Sequence, residues 1–246
     1  MTNISELPAQ VGRSIDAFVE AAKAAFEADL VAVVMYGSAA EGRLRATSDV
    51  NMLLVVKRFG QAEADRLRGP LRLAHATVQM NAMFLLESEV AAAMEAFAVK
   101  FADLLARHRI LYGSDPFANL NLPRNALIRR LKQVLLNLQL RLRERYVMLS
   151  LREEQLALLI ADAAGPLRSS AASLLKLEGE GEPALAPKET LEKLVSKMND
   201  AHLSAALQEV SVAREQRQLP PGKAAPALMG LIELALQLRD RVARLD

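Results

Sequence analysis

Two short stretches carry the residues whose types and spacing could do chemistry. Val33-Val34-Met35-Tyr36-Gly37-Ser38 ends an apolar run on a Gly-Ser pair, ten residues follow, and Asp49-Val50-Asn51 opens a second apolar run that reaches Val56. A glycine after a strand permits a sharp turn and a close backbone approach to a ligand. On a strand, residues 49 and 51 alternate onto one face, so a carboxylate and an amide oxygen stand side by side. Arg43 and Arg45 lie in the loop between the two runs, where guanidinium forks could meet phosphates or another polyanion. The plainer alternative stays open: Ser48-Asp49 could cap a strand, and the two arginines could be solvated loop cations.

The remaining chemistry-bearing residues form no rival constellation. His75, His108 and His202 are scattered without ligand spacing, and no P-loop or dinucleotide-binding glycine pattern occurs. The absence of Cys excludes a disulfide scaffold, a thiolate zinc site and a cysteine nucleophile. From Arg130 a polar stripe of Asn137, Arg141, Arg145 and Arg152 spans an arc of about 80° on a helix. Arg130, Arg141 and Arg145 could contact phosphate or an acidic acceptor from a cleft beside the first domain. They could equally rim a helical bundle and pair with Glu144 or Glu153.

Around these residues the chain supplies elements of two characters. Of 246 residues 52% are hydrophobic and only 4% aromatic, which calls for an aliphatic, Ala-rich core. Residues 1–115 carry a net charge of −2 and residues 116–246 one of +4. The first half mixes periods. A helical stripe runs from Pro8 to about Ala28, with buried strands at Leu30 to Gly37 and Val50 to Val56 and a helix from Gln61 to about Leu73. A third strand is expected over Thr77 to Leu85, a helix from near Glu89 with Ser88 as its N-cap, and a short strand at Ile110 to Tyr112. The second half reads as helices only: a long one after Pro123 with Leu127, Leu131, Leu135, Leu138 and Leu142 on one stripe, Glu153 to Leu177 with a kink or break at Pro166, Glu189 to Met198, Asp200 to about Arg217, and Ala224 to Leu245. A Gly/Pro/acidic linker spans Glu178 to Lys188. The expected fold is an α/β (α+β) domain with a mixed sheet over 1–115, followed by an all-α helical bundle over 116–246.

The strand, Gly37-Ser38 turn, ten-residue loop and Asp49-x-Asn51 strand together resemble the signature of the DNA-polymerase-β-like nucleotidyltransferase superfamily. Its minimal and kanamycin-type members also join such a domain to a helical bundle. The resemblance covers about residues 30–113. It implies an NTP whose triphosphate lies at Tyr36, Gly37 and Ser38, with Arg43 and Arg45 near, and Mg²⁺ held by Asp49 and Asn51 as catalytic residues. The reaction implied is transfer of a nucleotidyl group to a hydroxyl of a small molecule or protein. The sequence departs from that pattern twice. Position 51 is Asn where the superfamily has Asp, and the expected third strand has no acid, with Thr77, Gln79 and Asn81 alternating on one face. A catalytically degenerate nucleotide-binding regulator, or an antitoxin-like protein-binding module, is the alternative.

Partners follow from composition as well. With a formal charge of only +2, a pI near 9.0 is poor support for nucleic-acid binding, and there is no interleaving of basic and aromatic residues for a single strand to stack on. The N-terminus lacks a basic region followed by an apolar stretch, and no apolar run approaches the length of a membrane span, so a cytoplasmic protein without a membrane partner is expected. The leucine stripes suit a core, a homo-oligomer or a protein partner alike.

Overall fold

Four strands make one mixed sheet in the order β3-β2-β1-β4 in the computed structural model, which describes residues 7–44, 49–179 and 185–245. They are β1 (Leu30–Tyr36), β2 (Val50–Val56), β3 (Met80–Leu86) and β4 (His108–Gly113). β1 runs antiparallel to β2 and β4, whereas β2 and β3 are parallel, as the intervening helix α2 (Gln61–Val78) allows. α1 (Ala9–Phe26) and α2 cover one face. Ile15, Phe18, Ala22 and Phe26 of α1 and Leu67 and Ala74 of α2 bury against Val33, Met35, Met52 and Leu54. Because side chains alternate along a strand, this fixes the other face as that of Val34, Leu53 and Val55, each fully buried, and of Tyr36, Asn51 and Asn81 at one end. Gly113 closes β4 at φ +78°, where a Cβ would overlap the carbonyl oxygen of Val31, so the β1–β4 approach depends on glycine.

Two local expectations are corrected. Thr77 and Val78, read as the start of the third strand, are the last turn of α2. The Thr77 hydroxyl donates to the Leu73 carbonyl at 2.8 Å, and the helix closes on Gln79 in the left-handed region, φ +51°. Threonine's β-branched shape suggested a strand, but its hydroxyl has a carbonyl one turn back to bond. The second correction concerns Ser88. It lies within the single 3₁₀ turn Glu87–Glu89, and the Glu89 carboxylate accepts from the Leu86 N–H at 2.9 Å. α3 (Val90–Ala96) and α4 (Ala98–Ala106) follow.

The chain divides into two compact units. One takes the residues up to Glu95 with Asp103–Asn121; the other takes Ala96–Ala102 with the residues from Leu122. The second is built from α5 (Arg124–Leu149), α6 (Glu153–Leu177), α7 (Pro187–Met198), α8 (Ala201–Gln216) and α9 (Ala224–Ala243). The leucine stripe of α5 (Leu127, Leu131, Leu135, Leu138 and Leu142) is buried in this unit's own core with Leu156, Ile160, Leu231 and Leu238. α6 continues through Pro166 instead of ending there. Asp200 caps α8 by accepting from the N–H groups of His202 and Leu203. No described helix is long and apolar enough to cross a membrane.

Candidate functional site

Register brings the sequence-predicted residues to one end of the sheet. Tyr36, the last residue of β1, pairs with Asn51 of β2, and Asn51 pairs with Asn81 of β3. On the outer side Tyr36 pairs with His108 of β4. Directly paired residues point to the same face, so His108, Tyr36, Asn51 and Asn81 form a polar row across all four strands. Asp49 is exposed and stands immediately before β2, two residues from Asn51. Of the polar face expected from Thr77, Gln79 and Asn81, only Asn81 lies on the strand.

Gly37 and Ser38 begin a single 3₁₀ turn directly above this row. Gly37 has φ +79°, a backbone that L side chains rarely adopt. The position its Cβ would occupy is 3.8 Å from Nδ2 of Asn51, which places the amide beneath the turn. The turn is tied internally, the Ala40 N–H bonding the Gly37 carbonyl at 3.0 Å and the Arg43 N–H bonding the Ser38 carbonyl at 2.9 Å. The N–H of Gly37 donates to the Arg107 carbonyl at 2.9 Å, so this donor is already committed. Ser38 is half-buried and Arg43 exposed; Arg45 lies outside the described residues.

Sequence reasoning missed the group that braces the turn. Arg107 forks onto Asp103, with Nη2 2.6 and 2.7 Å from the two carboxylate oxygens and Nε 3.0 Å from Oδ1, and its Nη1 reaches Glu41 at 3.1 Å. All three side chains are largely buried. Burial alone would lower the Arg107 pKa, but the hydrogen bonds and charges of Asp103 and Glu41 outweigh it and the net shift is upward. One guanidinium therefore links Glu41, just past the turn, to Asp103 near the end of α4, while the Arg107 backbone carbonyl holds Gly37. The i,i+4 spacing of Asp103 and Arg107 was visible in the sequence; the third partner, 66 residues away, was not. The Tyr36 phenol is pushed above its ordinary value, first by burial and then by the Asp103 charge.

His108 sits in the same row, yet both its ring nitrogens face partners within the unit. Nδ1 lies 3.2 Å from the Leu105 carbonyl and Nε2 is 3.6 Å from Asp115, while Phe117 packs edge-on at 5.9 Å. It reads as a positioned structural histidine. On α5, Arg130 is half-buried and donates to Gln133, and Asn137, Arg141 and Arg145 are exposed.

The donor set does not fit the Mg²⁺ site that the resemblance implies. Asp49 is its one carboxylate, Asn51 and Asn81 are neutral amides, and Glu41 and Asp103 are engaged by Arg107. Among the described residues no group of three His, Asp or Glu side chains could hold a metal ion. A hard cation such as Mg²⁺ binds through charged oxygens and gives up its waters reluctantly, and an amide brings no charge to offset that cost.

No family model matches this sequence, and no curated protein matches it. Among solved structures, the chain is similar to spectinomycin adenyltransferase AAD(9) from Enterococcus faecialis, whose structure contains ATP and spectinomycin. The TM-score is 0.65 at 11% identity, over 94% of this chain and 99% of that one. At that identity the likeness shows the fold: a mixed four-stranded sheet with a helical C-terminal region, as in an adenyltransferase.

Proposed function

We propose that this chain is a nucleotidyltransferase-like protein that takes a nucleoside triphosphate at the Gly37-Ser38 turn. One observation carries the reading: the register that sets Asn51 opposite Tyr36 and beneath Gly37, with Asp49 two residues before it. An adenyltransferase fold over nearly the whole chain supports it. The reaction this layout implies is nucleotidyl transfer. A hydroxyl oxygen bonds to the α-phosphorus as the bond to pyrophosphate breaks, and the hydroxyl proton passes to a base. In this reading Asp49, the exposed carboxylate immediately before β2, accepts that proton. Tyr36, Gly37 and Ser38 shape the triphosphate pocket, Arg43 and Arg45 supply cations to the phosphates, and Arg130, Arg141 and Arg145 are offered as contacts to phosphate or to an acceptor. Spectinomycin, bound by the structural neighbour, is the first hydroxyl acceptor to try.

A second reading has its own support. With amides at 51 and 81, binding is retained on the sheet while transfer is lost, and the protein acts as a nucleotide-dependent regulator of a protein partner. Incubation with α-phosphate-labelled NTPs and a panel of hydroxyl acceptors separates the two. Labelled product that disappears in Asp49→Ala supports transfer. NTP binding without product or pyrophosphate release supports the regulator.

A further inference from the structure

The acid-poor row has a chemical meaning of its own, which rests on the reading of an NTP at the Gly37-Ser38 turn. A triphosphate is a polyanion. A site floored by carboxylates repels it unless a divalent cation stands between them. Here the floor beneath Gly37 is the Asn51 amide, and its strand neighbour is the Asn81 amide. Each carries two N–H donors as well as a carbonyl acceptor. The two carboxylates of the bracing group, Glu41 and Asp103, share the single guanidinium of Arg107, which offsets one of their two charges and ties both to the brace. Asp49 is exposed, so water screens its charge more than it would that of a buried acid.

We infer that this site binds its nucleoside triphosphate without a divalent cation, the side-chain N–H groups of Asn51 and Asn81 donating directly to phosphate oxygens. Nδ2 of Asn51 is 3.8 Å from the position a Gly37 Cβ would occupy, so the side-chain amide lies against the turn at which the phosphates are proposed to sit. An aspartate at position 51 would present acceptors only, turning a donor toward phosphate into a like-charge contact. The amides are therefore not passive losses from a metal site. They change the ligand's ionic form, from the metal complex of the nucleotide to the free nucleotide.

Titration calorimetry of ATP into the full chain tests this, in EDTA and in excess Mg²⁺, for the wild type, Asn51→Asp and Asn81→Asp. The wild type is expected to bind ATP in EDTA with a Kd within about threefold of that in Mg²⁺, since charge-assisted donors supply the contact. Either aspartate variant is expected to lose about tenfold or more in EDTA and to recover on adding Mg²⁺. Asn81 is exposed on β3, so its variant keeps the test usable if Asn51→Asp does not fold, which circular dichroism reports. Wild-type binding that appears only with Mg²⁺ overturns the inference and leaves the nucleotide reading standing. Aspartate variants that bind ATP in EDTA as tightly as wild type also overturn it, by removing the amides from the contact. Absence of binding under both conditions refutes the nucleotide reading itself.

Discussion

At the scale of single residues, the site is governed by which polar groups are charged and which are already engaged. Asn51 is half-buried between Tyr36 and Asn81, and Arg107 engages both Asp103 and Glu41 while offsetting one of their two charges. Tyr36 is the residue whose titration reports on this environment. Its phenol is held protonated by burial and by the Asp103 charge, so its folded pKa lies above the value near 10 of the unfolded chain. The folded state then holds the proton more tightly, and the stabilisation is fully present below about pH 10 and declines as pH rises from there through the folded value. In urea denaturation between pH 8 and 11, the wild type is expected to lose stability in the alkaline part of this range. Tyr36→Phe is expected to lack that component of the loss. Equal alkaline slopes would remove Tyr36 from the titrating groups.

At the scale of elements, one residue joins the turn after β1 to the end of α4. Arg107→Ala is expected to cost about 2 kcal/mol, because it leaves the Asp103 and Glu41 carboxylates largely buried without their partner. Arg107→Lys keeps the charge but not the fork and should fall between the two. Denaturant midpoints measure both, and an Arg107→Ala protein as stable as wild type would show that the brace carries no load. Much of this element pattern was legible in advance. The apolar runs of β1 and β2 bounded the turn correctly, α6 was readable to the residue, and the α5 leucine stripe proved to be bundle core. β3 was misplaced by several residues because Thr77 and Val78 have strand-like side chains, while the α2 C-terminus is fixed by a backbone feature, the left-handed Gln79, that no local pattern announces. Asp49, Asn51, Tyr36, Gly37 and Ser38 could be singled out as candidates in advance because they are close in sequence. Glu41, Asp103 and Arg107 were missed because their meeting is set by tertiary folding, and Asn81 gained its place only through the parallel β2–β3 register.

At the scale of the whole molecule, a mixed sheet and a helical C-terminal region share one chain, and the likeness in fold to an adenyltransferase covers 94% of it. A fold hosts many activities, so the proposal that a nucleotide is taken at the Gly37-Ser38 turn needs a measurement that finds the place on this fold. Hydrogen–deuterium exchange of the full chain with and without saturating ATP locates that place without assuming turnover, metal or acceptor. Backbone amides from Tyr36 to Leu44 and at the start of β2 are expected to exchange more slowly with ATP bound. ATP that leaves this turn unchanged, or that slows exchange only elsewhere, would contradict the assignment of the Gly37-Ser38 turn as the nucleotide site.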